Sequence, residues 1–450
     1  MARFTLKTKL LTAFLAAGIL PFAIFALIAL RQASSSLEDQ TFAQLVSLRD
    51  IKKEQVERYL ETIRNQAMTF SEEFTTVEAM AAFAADAEGV APSIGRDVKD
   101  LRSELAGYYR QEFGGTYREQ NGGKAPDVER VLAELDDVTV AMQWSYIQAN
   151  PRPLGSKHLL DRAPEASGYN EHHALYHPAL RHYLETFGYY DIFLVEQQSG
   201  RIVYSTFKEL DYATSLKDGP YADSGLGDVY RRAAAAQDPD AVVFADFRTY
   251  FPSYEAPAAF VASPIVHDGE RIGVLAMQFP LDNLNAMMGA RSGLGETGET
   301  YLVGADKLMR SDSFLDPEHH SVVTSFRKPE TGKVDTEASR AALNGESGER
   351  IIKDYNGNPV LSAYAPLESG NLGWAILAEI DVAEAFGAVH KLRAVSAIVA
   401  LAALGGLVLV ALLFTRSITK PIGVVVDSLT DLSQGEGDLT SRLPVTSQDE

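Results

Sequence analysis

The sequence predicts an α+β protein: a long N-terminal helix and two tandem modules of similar plan, flanked by two transmembrane helices. Three observations predict it. Two uncharged apolar runs, 10–30 and 394–414, bracket a chain of otherwise mixed character. After the first run, apolar residues recur every three or four positions, the period of a helix with one buried face. From Tyr189 the period becomes that of strands, and one order of elements then occurs twice.

The first run, LLTAFLAAGILPFAIFALIAL, is long enough to span a membrane, since roughly 20 apolar residues at about 1.5 Å each cross a hydrocarbon core of about 30 Å. A cleaved signal peptide has a shorter apolar region, about 7–15 residues, before a small-residue cleavage site, whereas Arg31-Gln32-Ala33 follows here. Pro21 is tolerated inside a span. Residues 1–9 form a basic tail (Arg3, Lys7, Lys9), and Arg416 and Lys420 follow the second run, so both ends are expected in the cytoplasm and residues 31–393 outside it. Lys391 and Arg393 oppose that orientation. In the second run, Gly405-Gly406 is expected to permit close helix approach.

The 450 residues carry a net charge of -20, which argues against a nucleic-acid partner, because such proteins present a basic face. The absence of cysteine excludes disulfides, thiolate catalysis and cysteine-ligated metals.

Ser34-Ser35-Ser36 offers N-cap hydroxyls for a helix expected over 34–85. Its stripe comprises Leu45, Leu48, Val56, Tyr59, Ile63, Ala67, Phe70, Phe74 and Val77. The stripe suits packing on its own domain and a dimer seam equally. Residues 86–188 are expected to mix helices and loops, with glycine pairs at 114–115 and 122–123 and helical character over 128–149. His173 and His177, four apart, have the spacing of metal ligands on one helical face. Pro178 favours a first helical turn and predicts a helix start that separates them. Surface or packing histidines are expected, with no bound metal.

The first module, 189–290, reads as strands 190–195 and 201–205 joined through Ser199-Gly200, a turn-rich loop at 218–225 and a helix over 228–236. Strands at 242–250, 258–266 and 272–279 complete it. This is a PAS-like order. The second module, 291–390, repeats it with strands 300–303 and 308–311, a helix over 338–344, and strands 349–355, 360–366 and 374–380. Gly293, Gly295 and Gly298 match a dinucleotide-binding spacing. They follow a helical segment and precede a strand, the reverse of what a pyrophosphate site needs. They are expected to be linker turns, with no cofactor.

After the second run, Ile418, Ile422, Val425, Leu429 and Leu432 alternate four and three apart, a seam for parallel helix association. Lys420-Pro-Ile422, Gly435-Glu-Gly-Asp-Leu-Thr-Ser-Arg-Leu443 and Asp449-Glu450 together resemble a HAMP linker. Only its first helix, its connector and the opening of its second helix are present, so 415–450 is expected to be a partial HAMP in a longer protein. Gly188-Tyr-Tyr-Asp-Ile-Phe-Leu194, Val203-Tyr-Ser-Thr-Phe-Lys-Glu209, Asp218-Gly-Pro-Tyr221 and Gly298-Glu-Thr-Tyr-Leu-Val-Gly304 resemble the double Cache sensors of bacterial methyl-accepting chemotaxis proteins.

The resemblance implies a receptor in the inner membrane with a periplasmic sensor. Its small-molecule ligand would sit in the membrane-distal module, 189–290. There Tyr204, Phe207, Tyr250 and Tyr254 are candidate walls, followed by Phe260. Asp246 is a candidate acceptor for a ligand amine, and Arg248 a candidate fork for a carboxylate. The arginine-tryptophan-tyrosine signature of amino-acid sensors is absent, which counts against an amino-acid ligand. The implied partners are membrane lipid, a second copy in a homodimer and a downstream chemotaxis kinase complex. No Gly-x-Ser-x-Gly elbow or His-Glu-x-x-His occurs, so an enzyme is not expected within these residues. A sensor histidine kinase or nucleotide cyclase sharing this front half is the alternative, and a membrane-anchored binding module with no output the third reading.

Overall fold

The computed structural model describes residues 5–368 and 370–434; the connector expected at 435–443 and Asp449-Glu450 lie outside the described residues. The chain forms two units, Gln44–Asp381 and the two chain ends, Met1–Ala43 with Val382–Glu450.

The terminal unit holds the start of the helix Leu6–Glu72 and the helix Gly387–Gln434, both long and apolar enough to cross a membrane. They touch side by side. A Cβ on Gly18 would lie 2.7 Å from Leu407, and Phe14 meets Phe414 with ring centroids 5.8 Å apart. The small residue at this contact is Gly18, not the expected Gly405-Gly406, whose missing Cβ atoms face open space. In this single chain Ile422, Val425 and Leu429 of the expected seam are exposed.

The first helix corrects two expectations. It runs unbroken through Ser34-Ser35-Ser36, so no backbone N–H is orphaned there and these serines cap nothing. It stops at Glu72 rather than near 85; Glu73 is extended (φ -63°, ψ 132°), and a second helix, Phe74–Asp86, follows. The break turns Phe74 outward, 76% exposed, while Leu45, Val56, Ile63, Ala67, Phe70 and Val77 are buried. The stripe packs on its own domain, and polar bonds fix it there. Arg49 Nη1 donates to the Tyr364 carbonyl at 3.1 Å, Tyr189 Oη donates to Gln66 at 2.6 Å, and Ser71 meets Ser263 at 3.1 Å.

The helix Gly168–Phe187 runs straight through Pro178, so the expected helix start there is wrong. Ser167 caps it instead, accepting from Asn170 N–H. Tertiary packing of its buried face outweighs the one backbone bond that proline removes.

The first sheet comprises β1 (Asp191–Glu196), β2 (Ile202–Ser205), β3 (Val243–Tyr250), β4 (Ala256–His267) and β5 (Glu270–Gln278), in the order β2-β1-β5-β4-β3, antiparallel throughout. The helix Gly225–Ala235 packs on β3, β4 and β5, and Phe74–Asp86 on β1, β2, β4 and β5. That second crossing is close because β5 carries Gly273; a Cβ there would stand 2.6 Å from both Met80 Sδ and the Val195 carbonyl.

The second sheet comprises β6 (Glu299–Val303), β7 (Gly348–Lys353), β8 (Pro359–Pro366) and β9 (Ala375–Asp381), in the order β6-β9-β8-β7. The strand expected at 308–311 shrinks to one bridge, Val303 to Met309. The physical reason is local: Ser311 Oγ accepts from Leu302 N–H at 3.0 Å, a place that a ladder carbonyl would otherwise fill. Strand alternation gives this sheet two buried faces. Tyr301, Val303, Ala375 and Leu377 face the module's own helix Glu337–Leu343 and its loops, while Leu302, Trp374 and Ile376 join the core of the first module.

The glycines at 293 and 295 occupy left-handed turns (φ 85° and 71°), and Arg291 binds the carbonyls of Gly295, Glu296 and Gly298. A strand, β6, follows them.

Candidate ligand-binding site

The loop after β2 is built on one carboxylate. Asp191 Oδ1 accepts the backbone N–H groups of Ile192, Thr206 and Phe207 at 2.7, 2.8 and 3.0 Å. This turns the chain at Lys208, which takes a left-handed backbone (φ 62°). Gln143 holds the far side of the loop, donating to the Leu210 and Tyr212 carbonyls at 2.8 and 2.7 Å and accepting from Tyr109 at 2.7 Å. Opposite stands the turn after β3, where Tyr254 and Glu255 are also left-handed (φ 56° and 63°). Such conformations cost about 1–3 kcal/mol each in residues other than glycine and concentrate at binding sites.

Between loop and turn lies a cavity of about 90 Å³, lined by Tyr108, Phe113, Leu154, Lys157, Tyr190, Phe207, Lys208, Glu209 and Tyr254 among others. Its lining sets five aromatic rings beside Lys157, Lys208 and Glu209. Lys208 is buried, donates to the Ser205 carbonyl and lies 4.4 Å from the Tyr204 ring centroid. Burial lowers its pKa, and Asp191 opposes that. Burial and then the neighbouring Asp211 raise Asp191, against its backbone donors. Burial lifts Asp211 to about 6, although Tyr250 Oη donates to it at 2.5 Å. Glu209 is pushed well above the usual carboxylate range by burial, Asp211 and Asp191. Its hydrogen bond among the described residues is a long one, from Ser253 Oγ at 3.3 Å. Lys157, by contrast, donates to the Asn150 carbonyl at 2.9 Å.

The structure divides the sequence candidates. Phe207 and Tyr254 line the cavity. Tyr204 and Tyr250 are buried behind it, against Lys208 and Asp211 respectively. Phe260 is core, packed edge-on to Tyr250 at 5.2 Å. Asp246 and Arg248 do not line the cavity. Arg248 is exposed on β3. Both Asp246 oxygens are engaged elsewhere: Arg310 Nε and Nη2 donate at 2.8 and 2.6 Å, and Trp374 Nε1 at 2.8 Å, so the carboxylate serves the arginine and the indole rather than the cavity. The aromatic run 244–254 gave no sign of this, because the arginine that claims Asp246 is 64 residues away.

Lys208, Glu209 and Asp211 were not among the candidates. Their signal was present: three charges in four residues, set among aromatic and apolar neighbours.

His173 and His177 do share a helical face, stacked with ring centroids 4.4 Å apart, and both are fully buried. Burial drives both pKa values down, that of His177 to about 2. His177 bonds Tyr204 Oη through Nδ1 at 2.7 Å and the His158 carbonyl through Nε2 at 2.6 Å. No group of three or more His, Asp or Glu among the described residues is placed to hold a metal.

The Cache domain family model dCache_1 matches residues 28–389. Two curated proteins of Pseudomonas aeruginosa are similar. The methyl-accepting chemotaxis protein PctB is 28% identical over 194 residues, and TlpQ, of the same description, is 29% identical over 215. Each match covers 42% of this chain and 28% of the relative, so the chain matches less than a third of their length. Among solved structures, the ligand-binding domain of the Campylobacter jejuni chemoreceptor Tlp3, in complex with L-norvaline, is 13% identical with a TM-score of 0.38, covering 78% of this chain and 94% of that one. The Pseudomonas aeruginosa PctC ligand-binding domain, in complex with GABA, is 15% identical with a TM-score of 0.31, covering 63% and 94%.

Proposed function

The chain belongs to the Cache domain family, and from that premise we propose that it is the sensing and membrane-crossing part of a chemotaxis receptor. Residues 31–393 face the periplasm, the two apolar helices cross the inner membrane, and a HAMP segment relays the signal to a cytoplasmic kinase complex. The receptor works as a homodimer. Its ligand occupies the cavity beside Lys208 and Glu209, with Phe207 and Tyr254 as walls and Tyr204 and Tyr250 as supports.

The observation that carries this reading is the combination at that cavity of left-handed backbone, aromatic walls and a carboxyl with one long hydrogen bond. Each lysine there already donates to a backbone carbonyl, whereas the Glu209 carboxyl has one long bond and is the acceptor with most capacity left for a ligand. A cationic amine suits it. The ligand's charge would draw Glu209 into its ionised form, and the aromatic faces would attract the same charge. Binding favours one state of the receptor only by its difference in affinity between states.

The test is a thermal-shift and calorimetric screen of the full chain in detergent against small amines, amino acids and carboxylates. An amine that binds wild type but not Glu209→Gln supports the reading. Binding unaffected by Glu209→Gln and by Tyr254→Ala refutes the site.

A further inference from the structure

Glu299 and Glu379 stand directly opposite each other on β6 and β9, 2% and 3% exposed, and Ser362 of β8 extends the same row. We propose that the second module is a proton receptor: these two carboxyls share one exchangeable proton, and its loss loosens β9, the strand that continues into the second apolar helix.

The two carboxyls are unequal partners. Glu299 Oε2 accepts from Ser313 Oγ, Phe314 N–H and Leu315 N–H at 2.8, 3.0 and 3.3 Å, and Oε1 accepts from Tyr355 Oη. Four donors thus converge on this one carboxyl. Glu379 has fewer: Tyr301 Oη donates to Oε2 at 2.8 Å, and the Ser362 hydroxyl beside it on β8 is its other hydrogen-bonding neighbour. Two adjacent buried carboxyls do not both ionise at ordinary cost, so the poorly solvated one keeps the proton. Burial raises Glu379 to about 7, with Glu299 and Asp354 adding to the rise; Ser362 and Tyr301 oppose it.

Among the described residues no lysine or arginine compensates the two carboxyls. No ion pair joins a Lys or Arg to either glutamate among the described residues. From the loop over the sheet, His320 is paired with Asp316 at 3.0 Å and lies 4.1 Å from the Tyr355 ring. On the packed helix Arg340 turns to Asp335, while Arg350 and Lys353 of β7 are exposed. Above neutral pH the second charge arrives opposite the first, and like charges at facing positions destabilise a strand pair. β9 ends at Asp381, and the chain passes through 382–386 into the helix Gly387–Gln434, so the strained strand is the one next to the membrane-crossing segment in sequence.

The test uses the full chain in lipid nanodiscs, read by infrared difference spectra between pH 6 and pH 8 and by amide hydrogen exchange corrected for its intrinsic pH dependence. Wild type should lose protonated-carboxyl absorption and show faster exchange in β9 at pH 8. Glu379→Gln, which mimics the protonated acid, should lack one carboxyl's share of that loss and hold β9 exchange constant. Glu299→Gln, which removes the neighbouring charge, should move the remaining titration to lower pH. An absorption loss in Glu379→Gln equal to wild type, or β9 exchange in wild type that ignores pH, would overturn the proposal. None of these readouts depends on a ligand in the first module.

Discussion

Replacing Asp246 by asparagine tests the joint between the two modules. Arg310 is 1% exposed, and three of its contacts determine the effect. Asp246 takes it bidentately at 2.8 and 2.6 Å, Asp306 binds Nη1 at 3.0 Å, and the guanidinium lies 5.1 Å from the Phe326 ring. Trp374 adds a bond to the same Asp246 oxygen and stacks on Phe247 at 6.0 Å. The substitution keeps the volume, so no cavity term enters. It removes the charge and turns an amide N–H toward the arginine. Breaking a buried pair from one side costs about 3–5 kcal/mol. Asp306 survives and the Asp246 side chain is 25% accessible, so the lower end applies, about 3 kcal/mol. At about 2 °C per kcal/mol for a chain of this size, the midpoint falls by roughly 6 °C. The assay is thermal unfolding of the full chain in detergent, followed by tryptophan emission and circular dichroism. Asp246→Asn with Arg310→Met should lose less than the sum of the single changes, because neither charge is then stranded. A single-variant shift under about 1 °C, or strict additivity in the pair, would refute the argument that this clasp joins the modules.

Two further outcomes follow from the same structure. Asp211 holds its proton up to about pH 6 when folded, against 3.8 as its ordinary value, so the folded state loses up to about 3 kcal/mol as pH rises from 4 to 6. Asp211→Asn should flatten that slope and raise the midpoint at pH 7, as read by thermal melts at stepped pH. Gly273→Ala places a methyl 2.6 Å from the Val195 carbonyl, an atom that cannot swing aside. It should cost about 1–3 kcal/mol in the same melts, and a neutral result would show that β1 and β5 do not approach there as closely as described.

Much of the architecture was legible because its signals are local. Length and apolarity mark the two helices able to cross a membrane, and Ser199-Gly200 marks a hairpin, with Gly200 left-handed in the structure. The errors came where neighbours in space outweighed neighbours in sequence. Pro178 sits inside a helix because the buried face of Gly168–Phe187 compensates for its missing bond. Phe74 fits the apolar period but falls at a break that rotates the next helix.

The site followed the same division. Sequence alone pointed to Phe207 and Tyr254, since strand and loop composition are properties of short segments; folding set Tyr108 and Phe113, from the helical region before that module, beside them. Only the tertiary structure decided which charges meet. Asp246 was drawn out of the candidate site by Arg310, Glu209 was brought into it by a turn built on Asp191, and Glu299 was set against Glu379 by strand register. Side-chain chemistry is written in the residues. The pairing that sets each group's charge depends on contacts tens of residues apart, which no local period records.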